Sequence, residues 1–417
     1  MSAAIEIMLM ATLLAPMPQF EPHLVGKLPD GYQIAVADMN GDGRPDLLAL
    51  STRTRRVVWY ENPSWQEHPI ITSLPDPISL APAHVRSAEY GVRSAEWRSQ
   101  SAFRIPHSPF DLIALATDFA LSNSTSGGHV WILRRPGNDD GEWAAEEIDA
   151  IPTSHRLKWA DLDGDGRLEL VNAPLLGYGA KAPDYAVPAP FVWYQREGGK
   201  WQRHVIDETL RLLHGFAVVR WDGDKRDSLL TASAEGVYLF QSSGQGGRMK
   251  WSKTLLGDGG AAAAQPATPA SQPAMPATGA SEVCLGRLGK RRFIATIEPW
   301  HGNQVAVYLE TAAKPWSRQV LDAGFNNGHA LACGDLNGDG RDEIVAGYRG
   351  KGSSLYTYFA EDADGRQWRR IPIDEGDMAA SSCAIVDVNG DGRPDIVAIG
   401  ASSGNVKWYE NTGGGKQ

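Results

Sequence analysis

Three histidines, His155, His214 and His329, stand at one register of a repeating pattern. Each lies six places before the first position of an acidic nine-residue phrase or, for His214, before Arg220, which a damaged copy aligns with that position. Converging imidazoles can hold zinc or a related divalent ion, or act as general bases near neutral pH. A lone histidine at a strand start is usually a satisfied polar residue. Three at one register of a ring must approach one another, and that approach argues for a site. The equivalents in other copies are Tyr32, Ser281 and Ser381; the second copy does not align. Loops expected on the same side carry Glu298, Trp300 and His301 in IEPWHGN, and Tyr348 and Arg349 in GYRGKG. Arg156 and Lys158 lie beside His155, and Tyr178, Lys181 and Tyr185 follow in a long loop. The expected catalytic set is His155, His214, His329, His301, Glu298, Arg349, Arg156 and Tyr348. Aromatics and guanidiniums around imidazoles suit a hydroxylated ring with anionic or enolate character. The sequence has no nucleophile elbow, phosphate-cradling loop, dinucleotide fingerprint or HExxH motif.

The acidic phrase has chemistry of its own. It reads DMNGDGRPD from Asp38, DLDGDGRLE from Asp161, DLNGDGRDE from Asp335 and DVNGDGRPD from Asp387. Oxygen side chains at positions 1, 3, 5 and 9, with glycines between, are how a short loop wraps a hard cation. The expected calcium ligands are Asp38, Asn40, Asp42 and Asp46; Asp161, Asp163, Asp165 and Glu169; Asp335, Asn337, Asp339 and Glu343; and Asp387, Asn389, Asp391 and Asp395. Position 7 should add the carbonyls of Arg44, Arg167, Arg341 and Arg393. A damaged copy from Trp221 keeps Asp222, Asp224 and Asp227 but has Lys225, whose ammonium is the expected substitute for an ion. Each phrase joins two apolar, β-branched runs, such as IAVA and LLAL, so these loops connect strands. The ions should stiffen hairpins rather than catalyse.

The elements that must position both sets of residues also repeat. A third strand ends in VVWYEN, FVWYQ or VKWYEN, and a fourth is opened by Trp65, Trp201, Trp316 or Trp368. Four short strands per 40–50 residues is the period of a propeller blade. Seven units are expected, near 31–72, 77–150, 154–207, 213–256, 281–322, 328–374 and 380–411. The last lacks a fourth strand, and FEPHLV at 20–25 resembles the missing one. The expected fold is therefore an all-β, seven-bladed propeller over 20–411, closed by its N-terminal strand, with a tail at 412–417. Such closure leaves no long unpaired edge. The histidines fall at the entrance of each innermost strand, and the acidic loops at the opposite face.

The net charge of −10 argues against nucleic acid. IEIMLMATLLA within 1–19 has signal-peptide length and is too short to span a bilayer. With calcium loops it points to a secreted or periplasmic protein. Cys284, Cys333 and Cys383 all lie in inner strands; an odd count gives no disulfide framework, and free buried thiols are expected. The Ala/Pro-rich stretch 257–280 should be a loop between blades. An Arg-rich insertion at 84–108 replaces the acidic loop of blade 2.

The acidic phrases resemble the FG-GAP or VCBS repeats of integrin-type propellers, whose blades host adhesion and catalysis alike. PTSHRLKWADLDGDG, NAPLLGYGAKAP, LLHGFAVVRWDGD, IEPWHGNQVAVY and NGHALACGDLNGDGRDEIVAGYRG resemble the β-propeller domain of aldos-2-ulose dehydratase, as does MAASSCAIVDVNGDGRPDIVAIG. That resemblance covers blades 3 to 7 well and implies dehydration of a keto-sugar such as 1,5-anhydrofructose or glucosone. It implies a base for the proton α to the carbonyl, an electrophile for the enolate and an acid for the departing hydroxyl. The expected partner is a small sugar or oligosaccharide. A polysaccharide lyase would need much the same groups. A non-catalytic adhesion module would use the same face without needing imidazoles at one register.

Overall fold

The computed structural model describes residues 17–83, 112–135, 143–183, 185–223, 225–260 and 278–414. Residues 1–16 of the leader, the whole 84–108 insertion and the centre of 257–280 lie outside the described residues.

The chain begins with strand β1 (Gln19–Lys27). Blade 1 follows as β2 (Gly31–Ala37), β3 (Asp46–Ser51), β4 (Val57–Glu61) and β5 (Gln66–Ile71). Blade 2 is β6 (Ser79–Ala83), β7 (Leu112–Thr117), β8 (His129–Arg134) and β9 (Ala144–Ala150). Blade 3 is β10 (Ser154–Ala160), β11 (Glu169–Pro174), β12 (Phe191–Glu197) and β13 (Lys200–Asp207). Blade 4 is β14 (Gly215–Val219), β15 (Ser228–Ser233), β16 (Gly236–Ser243) and β17 (Lys250–Gly257). Blade 5 is β18 (Glu282–Leu288), β19 (Arg291–Glu298), β20 (Gln304–Leu309) and β21 (Ser317–Asp322). Blade 6 is β22 (Gly328–Gly334), β23 (Glu343–Tyr348), β24 (Ser354–Ala360) and β25 (Trp368–Glu375). Blade 7 is β26 (Ala380–Val386), β27 (Asp395–Gly400) and β28 (Asn405–Gly413), with β1 as its outermost strand. All seven sheets are four-stranded and antiparallel.

The second strands are buried on both faces, as in Asp46–Ser51 and Leu112–Thr117, because each is sandwiched between neighbouring blades. Outer strands such as Trp368–Glu375 alternate with solvent. Each inner strand packs on the next around the ring, and β26 packs on β2. β28 runs to Gly413, so the expected tail at 412 begins slightly later. β1 pairs with β28 from Gln19 opposite Gly413 to Lys27 opposite Asn405. The asparagine of each WYEN phrase latches neighbouring blades. Asn62 Nδ2 donates to Val388 O at 2.8 Å, and Asn411 Nδ2 to Leu336 O at 2.7 Å.

One sequence expectation fails in the inner strands. Cys284 and Cys333 are not free thiols: they form a disulfide between blades 5 and 6, with Cα atoms 6.0 Å apart. The two cysteines are 49 residues apart in the chain, but β18 and β22 lie side by side. Cys383 is the free cysteine.

Candidate active site at the channel mouth

A backbone distortion recurs ahead of the channel side chain in most blades. A residue with positive φ stands two places before the channel position: Asp30 before Tyr32, Thr153 before His155, Leu212 before His214, and Asn327 before His329. In blades 1, 3, 6 and 7 the ladder then slips around Tyr32, His155, His329 and Ser381. Each is the extra residue of a bulge, unpaired by the second strand and free to turn. The same geometry aligns blade 2. Asp76 has positive φ, and Ile78 N donates to Ala116 O as His214 N donates to Ala232 O. The ring therefore reads Tyr32, Ile78, His155, His214, Ser281, His329 and Ser381.

The histidines share one anchor. His155 Nδ1 bonds the His214 carbonyl at 3.1 Å, His214 Nδ1 the Ser281 carbonyl at 3.1 Å, and His329 Nδ1 the Ser381 carbonyl at 2.5 Å. A carbonyl only accepts, so each Nδ1 carries the proton and each Nε2 presents a lone pair. His155 and His214 rings lie 4.6 Å apart, and His214 and His329 rings 5.2 Å. The three thus converge.

His301 joins them from the loop after β19, its backbone at φ 46°. Its Nε2 is 2.8 Å from His214 Nε2, and its Nδ1 is 3.5 Å from an Arg349 nitrogen. Arg156 reaches His155 Nε2 at 3.2 Å and the Tyr32 hydroxyl oxygen at 3.3 Å. Burial, then the cations around them, hold the imidazoles of His155, His301 and His329 well below the ordinary histidine range. They are neutral at pH 7. Arg349 is lowered by burial yet remains a cation.

Two participants carry no motif. Tyr32, named only as a non-histidine equivalent, donates its hydroxyl to His155 Nε2 at 2.8 Å. Its ring lies 5.1 Å from that of His329 and 5.8 Å from the Arg349 guanidinium carbon. Glu282 follows Ser281 as Arg156 follows His155; counting the register one residue further would have found it. Its Oε1 is 3.1 Å from both His214 Nδ1 and Arg156. Burial alone would raise Glu282, but Arg156 and His214 more than offset this and hold its carboxyl below the usual range.

Two expected residues are elsewhere. Glu298 is fully buried, but it accepts from Tyr308 at 2.5 Å, Thr296 at 2.8 Å, Arg318 at 2.7 Å and Gly260 N at 2.9 Å. At the end of β19 its side chain is held by Tyr308 of β20 and Arg318 of β21, within blade 5. Tyr348 packs on Phe325 at 5.0 Å and donates to Gly352 O. Tyr178 is exposed, while Tyr185 packs edge-on against Trp300 under the rim. Lys158 lies along the channel wall, 6.0 Å from the Phe216 ring.

Beside the imidazoles opens a cleft of about 470 Å³. Tyr32 and Arg349 belong to both; Asp30, Asp76, Thr52, Arg53 and Phe119 complete its polar and aromatic lining.

The donor set fits a metal. Ligand nitrogens of His214, His301 and His329 lie within 4.8 Å of one another. His329 Nε2 is buried without a hydrogen-bond partner, as a ligand atom would be before its ion binds. The outer nitrogens of His214 and His329 are held by carbonyls, the usual outer support of metal-bound imidazole.

The acidic loops lie at the far ends of the inner strands and repeat one geometry. The first aspartate accepts from two glycine nitrogens: Gly41 and Gly43 to Asp38, Gly164 and Gly166 to Asp161, Gly338 and Gly340 to Asp335, and Gly390 and Gly392 to Asp387. The ninth residue accepts from the second: Met39 to Asp46, Leu162 to Glu169, Leu336 to Glu343, and Val388 to Asp395. Oxygens of Asp161, Asp163 and Glu169 lie within 4.8 Å of one another, which suits an oxygen-seeking ion. In blade 4 the Arg220 guanidinium meets Asp227 at 2.7 Å and Asp222 accepts from Gln241; Asp224 lies outside the described residues. Arg220, at the first loop position, thus brings a cation to Asp227.

The family model of the aldos-2-ulose dehydratase β-propeller domain matches residues 127–311, and that of the FG-GAP-like repeat matches 335–398. The first spans His155, His214, Glu282 and His301. The chain is similar to aldos-2-ulose dehydratase. The curated enzyme of that name from Phanerodontia chrysosporium is 26% identical over an alignment of 367 residues that covers 81% of this chain and 38% of that protein. The chain thus spans under two fifths of its relative's length. A Bacteroides uniformis structure provisionally described as a 6-phosphogluconolactonase aligns over 94% of each chain at 10% identity and TM-score 0.48, too distant to bear on function. Among the described residues, no helix is long and apolar enough to cross a membrane.

Proposed function

We propose that this propeller is a carbon–oxygen lyase that removes water from a keto-sugar of the aldos-2-ulose or 1,5-anhydrofructose type. The observation that carries the reading is the convergence of His155, His214, His301 and His329 beside two half-buried guanidiniums, in a chain similar to a sugar dehydratase.

The sugar would lie in the cleft, with its carbonyl towards Arg349 and its ring against Phe119. The C–H bond α to the carbonyl breaks, and its proton passes to the pair formed by Tyr32 and His155. Because His155 Nδ1 already donates to a carbonyl, Nε2 is its basic nitrogen. The electrons pass to the carbonyl oxygen as an enolate, then form a carbon–carbon double bond as the neighbouring C–O bond breaks, and the hydroxyl departs as water with the proton that the Tyr32–His155 pair took up. Arg156 and Arg349 steady the enolate charge in a site sheltered from water. Glu282 holds Arg156 and His214 in place. A zinc-class divalent ion held by His214, His301 and His329 would polarise the ketone when bound.

We further propose calcium in the four acidic loops, as reinforcement of the hairpins opposite the site. The Cys284–Cys333 bond and those loops support a secreted or periplasmic setting. The test is incubation with 1,5-anhydrofructose and with glucosone while watching for an enone chromophore. The reading predicts its appearance with at least one of them. A folded protein with calcium and zinc bound that leaves both sugars unchanged would instead indicate a binding module.

A further inference from the structure

The seam where the chain ends meet contains a like-charge pair. Glu21 of β1 stands directly opposite Glu410 of β28. Like charges directly opposite across an antiparallel pair are destabilising. Among the described residues no lysine or arginine ion pair relieves either one. His23, two places along on the same face, brings Nε2 to 3.0 Å from Glu410 Oε2. Its ring is stacked on Trp408 with centroids 4.4 Å apart. Ligand atoms of Glu21, His23 and Glu410 all lie within 4.8 Å of one another.

Two other blades supply internal comparisons. The same stack recurs as Trp59 on His68 at 4.2 Å and Trp193 on His204 at 4.4 Å. The cross-strand pair equivalent to Glu21 and Glu410 is Gln66 with Glu61 in blade 1, and Gln202 with Gln195 in blade 3. Only the seam combines two carboxylates with the imidazole among these three. The seam is also the one blade whose strands come from both ends of the chain.

We infer that Glu21, His23 and Glu410 form a divalent-cation site of the zinc class that clasps β1 to β28. Two carboxylates and one imidazole suit zinc, nickel or cobalt better than calcium. The cation relieves the repulsion, and Trp408 fixes the imidazole that completes the set. The site is separate from the channel histidines and does not rest on the proposed reaction.

The experiment uses the full chain in saturating calcium, titrated with Zn²⁺ alone. Zinc retained after gel filtration and the zinc-dependent change in Tm are measured for wild type, E21Q and Q66E. E21Q copies the blade 1 pair and should fold. It is expected to retain one zinc fewer and to lose part of the Tm rise; Q66E should retain one more. The channel site contributes equally to all three proteins, so the differences isolate the clasp. Equal zinc content in wild type and E21Q would overturn the proposal, as would a Tm response that E21Q leaves unchanged.

Discussion

His214 Nε2 and His301 Nε2, from adjacent blades, lie 2.8 Å apart. His214 Nδ1 donates to Ser281 O, so His214 Nε2 arrives as a lone pair. His301 must therefore offer a proton, or both nitrogens must face a shared cation. Either arrangement makes the pair sensitive to loss of one ring.

His155→Ala should lower turnover about 10²–10⁴-fold, the usual cost of losing a positioned base, and His329→Ala should lower it by removing one of the three nitrogens that would hold the metal. Both variants should fold, because their backbone donors and acceptors remain. Enone formation and circular dichroism on the same samples check this; full activity in a folded variant would remove that histidine from the mechanism.

Glu298→Gln should behave in the opposite way. Glu298 holds Arg318 and Tyr308 inside blade 5, so the change should cost about 1–3 kcal/mol of stability and leave kcat nearly unchanged. Urea unfolding and steady-state kinetics separate the two. A large loss of kcat at unchanged stability would restore Glu298 to the site.

The ion-free loops should make stability fall as pH rises. Burial, then nearby carboxylates, raises Asp46 to about 7, Glu169 to about 8, Glu343 to about 9 and Asp395 to about 6, in spite of backbone hydrogen bonds. Between the unfolded pKa near 4 and these values the folded state binds more protons, so its advantage is lost as pH climbs. In a chelator, Tm should decline from pH 5 to pH 9, and calcium should flatten the decline. A Tm indifferent to chelation would refute the structural role of the ions.

Peptide mapping without reductant should recover Cys284 linked to Cys333. Burial pushes the Cys383 thiol up, so alkylation of the native protein should spare it, and unfolding should expose one thiol only. Replacing the pair by alanine should cost about 2–4 kcal/mol. Three thiols alkylated after unfolding would disprove the bond.

The propeller was legible because the acidic phrases and WYEN endings recur with fixed offsets. The three channel histidines were legible because the register is counted from those phrases. Glu298 was misplaced because a sequence window shows that a residue ends a strand, not which neighbour its side chain meets. Tyr32 and Glu282 escaped notice for a different reason. One is a tyrosine where histidines drew attention, and the other sits in a blade that lacks the counting phrase. The disulfide was hidden because proximity across blades leaves no spacing signal along the chain.

The bulge at four of the channel positions has a wider consequence. Tyr32, His155, His329 and Ser381 stand outside the strand ladder, so their side chains answer to the channel and not to blade pairing. Chemistry and architecture are thereby written on separate residues of one strand. A propeller of this kind can change what it does by rewriting one letter in such a blade: histidine at Ser381 would enlarge the imidazole ring without disturbing a single rung of its sheet.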